Sequence, residues 1–169
     1  MIHSKNLYYY ILIVGLFLIL KAFHSTAANS DLKFLLFPTT QIVDLATDSE
    51  SDFYEDMGFV NSQLNIVIDK SCSGFNFLIL CFVCLSFTAI GYFNKNLYKS
   101  LSIVFLLIIS YFLTIFANSS RILVSVSLQK LQILNITKQI HQAEGVFVYL
   151  FFLIAFYLIF LHILNKKND

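Results

Sequence analysis

The sequence predicts an all-α, polytopic integral membrane protein, a helix bundle of about four transmembrane helices with one outer interfacial segment. Three observations carry that prediction. First, 58% of the 169 residues are hydrophobic and 12% are charged, whereas soluble domains average roughly 45–50% apolar and about 25% charged. A chain with mean hydropathy +0.77 has too little polar sequence to cover a soluble core. Second, residues 75–93, 100–120 and 146–164 are uncharged, and each matches the roughly 20 residues that a bilayer crossing requires. Third, the few lysines gather in short links and at the ends. The net charge of +1 lacks the basic excess that nucleic-acid binding leaves in a sequence.

The elements follow in chain order. Residues 7–20 form an apolar run that rises only about 21 Å as a helix, short of a hydrocarbon core of about 30 Å. Adding Lys21 as a snorkelling residue, then Ala22 and Phe23, gives a first span of about 7–23. A cleaved signal competes for the same segment, with Lys5 ahead of it and the small residues Ser25-Thr26-Ala27-Ala28 behind. Both readings deliver the chain to the same side. The loop 24–74 with its flanking Lys21 carries three Lys against eight acids, and is expected outside. Within it, residues 32–36 are apolar but too short to span, are followed by Pro38, the single proline, and are expected at the membrane surface or over the mouth of the bundle.

The second span, about 75–93, is followed by the link 94–99 with Lys95 and Lys99. A third span, about 100–118, leads into the outer loop 119–145, and the fourth covers about 146–164 before the tail lysines Lys166 and Lys167. Lys and Arg are retained on the cytoplasmic side, so both termini and the 94–99 link are expected inside. Residues 122–136 are apolar enough to consider as a fifth crossing. They hold Gln129, Lys130 and Gln132, however, and a Lys near mid-bilayer costs about 2.5–3.5 kcal/mol. That segment is expected at the outer interface or as a partly inserted hairpin.

This topology brings three chemically capable residues to one membrane face: Cys72 before the second span, Arg121 after the third and His141 before the fourth. A free thiol has a pKa near 8.5 and reacts as thiolate, so it needs a cation, a helix N-terminus or a histidine partner to act near neutral pH. His141 has the side chain to take and return a proton. Arg121 offers a permanently charged fork of five donors, suited to an oxyanion or a peptide carbonyl. Singly, each has a plainer account: Cys72 as an apolar filler, Arg121 as an interfacial snorkeller, His141 as a solvated loop residue. Jointly they form an acyl-transfer site.

The segments Lys70-Ser71-Cys72-Ser73-Gly74-Phe75-Asn76-Phe77, Asn118-Ser119-Ser120-Arg121-Ile122 and His141-Gln142-Ala143-Glu144-Gly145 resemble the Cys-Ser/Ala-Gly, Asn-x-x-Arg and His-x-x-x-Gly signatures of the exosortase and archaeosortase family. The short chain, with Phe37-Pro38-Thr39 in its loop, looks most like the exosortase K branch. The resemblance implies a membrane-embedded cysteine transpeptidase or protease, with Cys72 as nucleophile, Arg121 stabilising the oxyanion or substrate carbonyl and His141 handling the proton. It implies substrates that are exported proteins with a C-terminal sorting signal: a short motif, a transmembrane helix and a basic tail. The enzyme would sit in the plasma (inner) membrane with its active site on the extracytoplasmic face.

Outside those motifs, Cys81 and Cys84 lie one turn apart within the second span, where free cysteines behave as small apolar residues. A thiol oxidoreductase built on them is the weakest alternative. A stronger one is a non-catalytic membrane subunit that binds a partner transmembrane helix. The acidic stretch 44–56 is expected to be a solvated loop. No metal-ligand spacing and no cofactor motif occur in the sequence.

Overall fold

The structure, a computed structural model, describes residues 4–93, 96–130 and 138–166, with no side-chain description for 4, 5, 130 and 138–144. It contains five α-helices among these residues: α1 (Ser4–Thr26), α2 (Lys33–Thr47), α3 (Phe75–Tyr92), α4 (Asn96–Lys130) and α5 (Lys138–Lys166). Between α2 and α3 lie three short strands, β1 (Asp52–Tyr54), β2 (Gly58–Asn61) and β3 (Ile66–Ile68), and one 3-10 turn (Lys70–Cys72). α1, α3, α4 and α5 are long and apolar enough to cross a membrane. The protein is therefore a multi-pass helical membrane protein, as its composition requires. Residues 1–26, 76–113 and 153–169 form one compact unit, and residues 27–75 and 114–152 a second.

In the first unit α1 packs against α3. Ile13, Phe82 and Ile90 are fully buried, with Tyr9, Tyr10, Leu16, Val83 and Ile103 against them. Lys21 Nζ secures the same contact, donating to Asn76 Oδ1 at 2.7 Å, while the Tyr9 hydroxyl ties α1 to the start of α4, donating to the Asn96 carbonyl at 3.2 Å. Lys99 is buried, with its ammonium on Asn6 Oδ1. α3 also contacts α5, where the Tyr92 hydroxyl donates to the Leu164 carbonyl at 2.5 Å. The outward faces of α1 and α5 expose large apolar side chains such as Ile11, Ile19, Phe151 and Leu158. In water such faces would demand a partner; lipid satisfies them without one.

The second unit holds the part of the fold that the sequence did not foretell. α2 starts just after Leu32 and runs through Pro38 to Thr47, where the sequence suggests a short surface segment stopped at the proline. A proline in a helix removes one backbone donor and crowds the preceding turn. Tertiary burial offsets this: Leu35, Leu36, Thr39, Thr40, Val43 and Asp44 form one buried stripe at helical spacing. The helix stops at Asp48, which takes a left-handed conformation with φ 52° and returns its N–H to the Asp44 carbonyl.

The strands form an antiparallel sheet in the order β1-β2-β3, with Val60 opposite both Asp52 and Val67. Asp44 accepts from Asn61 Nδ2 at 3.0 Å and from Ser51 Oγ at 2.7 Å, joining α2 to β2. The acidic stretch expected to be solvated is thus partly a structural core. Phe59 packs on Phe53 and Phe37.

α4 and α5 differ from the expected loop 119–145 in one respect: most of it is helical. No Gly or Pro interrupts residues 96–130, so α4 continues through Arg121 and on to Lys130. At 1.5 Å per residue its 35 residues span about 52 Å, well beyond a hydrocarbon core of about 30 Å. Residues 131–137, which include the remainder of the candidate interfacial segment 122–136, lie outside the described residues.

Candidate active site

The site lies wholly within the second unit. Cys72 closes the 3-10 turn that follows β3, and local chemistry fixes that turn. Asp69 caps it, its Oδ1 accepting from the Ser71 backbone N–H at 3.0 Å and the Ser71 hydroxyl at 2.6 Å. Backbone bonds run from Cys72 N–H to the Asp69 carbonyl at 2.9 Å and from Ser73 N–H to the Lys70 carbonyl at 3.2 Å. The turn is also tied to the chain just after α1: Asn29 Oδ1 accepts from Lys70 N–H at 2.8 Å, and Lys70 Nζ donates to the Ala27 carbonyl at 2.7 Å.

Cys72 then hands over to α3 through two small residues. Buried Ser73 accepts the Phe75 N–H at 3.3 Å, which satisfies a donor that the first helical turn leaves open. Gly74 has φ +73°, and a Cβ there would meet Thr114 Cγ2 at 3.0 Å and Asn118 Cγ at 3.1 Å. Only glycine combines that conformation with so close a neighbour. Cys72 is half-buried, just ahead of the α3 N-terminus.

Opposite it runs α4. Asn118 is fully buried; its Nδ2 donates to the Cys72 carbonyl at 2.6 Å, and its Oδ1 accepts the Tyr149 hydroxyl at 2.5 Å. Arg121, almost one turn on, carries its guanidinium carbon 5.3 Å from the centre of the Tyr149 ring, within cation–π range. Its Nε is buried with no hydrogen-bond partner among the described residues. Gly145 of α5 lies beside it: a Cβ there would come within 3.3 Å of Arg121 Cδ and Nη1.

Cys72, Arg121 and Gly145 line one cleft of about 220 Å³, together with Asn65 and β3 on one wall and Ile122, Ser125, Val126 and Gln129 of α4 on another. The α4 residues recur at intervals of three and four, one face of a helix. Two of the three candidate residues, Cys72 and Arg121, therefore share a cavity. For the third, the side chain of His141 lies outside the described residues. Its backbone is helical, in the first turn of α5, and four positions ahead of Gly145 puts it on the same helix face as that cleft-lining residue.

Several contributors were not singled out from sequence. Tyr149 and the β3 wall carried no signal in the chain. Asn118 stood in the Asn-x-x-Arg spacing, which on a helix sets the two side chains on one face. It also heads an Asn-Ser-Ser sequon, and its complete burial removes that sequon from the surface of the folded protein. Cys81 is fully buried in α3, in keeping with packing. Among the described residues no three His, Cys, Asp or Glu side chains gather as a metal would require.

A half-buried thiol before a helix N-terminus thus shares a small cleft with an arginine in a multi-pass helical membrane protein. Residues 53–161 match the transmembrane exosortase family (Exosortase_EpsH), and the chain belongs to that family. No curated protein and no solved structure matches it.

Proposed function

We propose that this protein is an exosortase-type cysteine transpeptidase or protease, of the K branch, that cleaves the C-terminal sorting signals of exported proteins. The observation that carries this reading is the shared cleft of Cys72 and Arg121, on the motifs that the family match covers. The Cys72 thiolate attacks the carbonyl carbon of the scissile peptide bond. Arg121 donates to the oxygen on which negative charge develops. As the C–N bond breaks, His141 passes the thiol's proton to the departing amine, leaving a thioester on Cys72. An incoming amine or water then attacks the thioester carbonyl, and the thiol recovers its proton.

In this reading the spans of about 7–23, 75–93, 100–118 and 146–164 cross the plasma membrane with both termini inside, and the cleft opens on the extracytoplasmic side. A substrate anchored by its own helix presents its cleavage site at a fixed depth, and reaches the cleft by diffusion within the membrane.

The test is expression of the full chain with a reporter ending in a sorting signal from an exported protein of the same genome. Cys72→Ala, Arg121→Ala and His141→Ala should each abolish processing while the protein remains in the membrane. Unchanged processing in the Cys72→Ala protein would overturn this reading in favour of the non-catalytic subunit.

A further inference from the structure

We infer that the cleft takes its substrate as an added β-strand, the polypeptide beside the scissile bond pairing with the free edge of β3. The inference rests on the thiol chemistry proposed for Cys72 and adds how the substrate is held. β3 is an edge strand: among the described residues the sheet order leaves it paired only with β2. Which edge faces the cleft follows from the lining. All three residues of β3, Ile66, Val67 and Ile68, line it, together with Asn65 of the preceding turn. Successive side chains of a strand point to opposite faces, so a cavity over one face would be lined by alternate residues only. Consecutive residues line a cavity that runs along the backbone edge. None of the β2 residues lines it, so it follows the edge that β2 leaves open.

That edge offers a row of backbone donors and acceptors, and its chemical complement is another extended polypeptide. The strand also ends four residues before Cys72. A peptide aligned along β3 is therefore delivered, carbonyl by carbonyl, toward the thiol. Backbone pairing supplies affinity without demanding a sequence, and the aliphatic wall of Ile122 and Val126 selects apolar side chains from the residues that alternate toward it.

The test uses the full-length protein in lipid nanodiscs and reads alkylation of Cys72 by mass spectrometry. The probes are acetylated peptidyl chloromethyl ketones with randomised side chains, one residue or four residues long, with iodoacetamide as a probe that has no backbone to pair. Strand addition predicts that the four-residue pool alkylates Cys72 at least about tenfold faster than the one-residue pool, the gain of two modest hydrogen bonds. It further predicts that N-methylation of the four-residue probe removes the gain at alternate positions, with period two. Equal rates for both lengths, or N-methyl effects without alternation, would overturn strand addition while leaving a reactive Cys72 intact. A Cys72 inert to iodoacetamide as well would overturn the thiol reading, and strand addition with it.

Discussion

At the scale of single residues, the site depends on buried Asn118 as much as on the groups that would perform chemistry. One side chain holds the Cys72 carbonyl and the Tyr149 hydroxyl at once, so its loss breaks two part-buried hydrogen bonds that join three elements. Asn118→Leu should destabilise the protein by about 1–3 kcal/mol for the two bonds together, measured by thermal unfolding in detergent, and should alter the rate at which iodoacetamide alkylates Cys72. Tyr149→Phe removes only the hydroxyl and keeps the ring under Arg121, so it should cost about a third to a half as much. Gly74→Ala meets both a left-handed backbone and Asn118; a loss of at least about 1–2 kcal/mol is expected in the same melt. Arg121→Lys keeps the charge but loses the planar fork and its stacking on Tyr149. Reporter processing should fall about a hundredfold or more, the scale of losing an oxyanion donor. The sequence made Cys72 and Arg121 legible because thiol and guanidinium are rare in this chain, Arg121 being its single arginine. Asn118 and Tyr149 were hidden because Asn and Tyr have many uncommitted uses, and only packing shows which one is spent.

At the scale of elements, the long helices were legible and the structure between α1 and α3 was not. Apolar runs of about 20 residues have few readings. Strands of three and four residues fall below the length at which alternation can be recognised, and α2 contradicts its own proline. What forms both is mutual burial, Asp44 of α2 against Asn61 of β2 and Phe37 against Phe59, which no local window contains. The extension of α4 past its apolar stretch meets no Gly or Pro through Lys130, and it sets Asn118, Arg121 and Ser125 on one helix face rather than on a loose connection. α5 contributes through what it lacks. Gly145→Leu would push a side chain into Arg121, and should lower processing several-fold more than Gly91→Leu, where nothing stands within 4 Å of an added Cβ. Equal effects of the two would show that Arg121 need not occupy its present position.

For the whole molecule, the sparse charges carry most of the positional information, because each charge in lipid must be placed or compensated. Lys21 and Lys99 illustrate this: each is matched to an asparagine carbonyl oxygen, Asn76 and Asn6 respectively. The proposed orientation predicts that a membrane-impermeant maleimide added to intact cells labels Cys72, whereas Cys81, fully buried in α3, and Cys84, one turn beyond it, stay unlabelled until denaturation. Labelling of Cys72 only after the inner face is opened would reverse the assigned sides.

The tie between the nucleophile's turn and the chain just after α1 bears on the fate of the N-terminal segment. Ala27 and Asn29 hold Lys70 by its ammonium and its backbone N–H, and Ala28 N–H is committed to Asp31 at 2.8 Å. A peptidase cutting after Ala28 would carry away the Ala27 carbonyl and leave a new charged amine on Asn29 itself. Such a cut would remove one of the two ties on the turn that carries Cys72, and N-terminal sequencing of the active protein would show which side of that cut the working enzyme lies on.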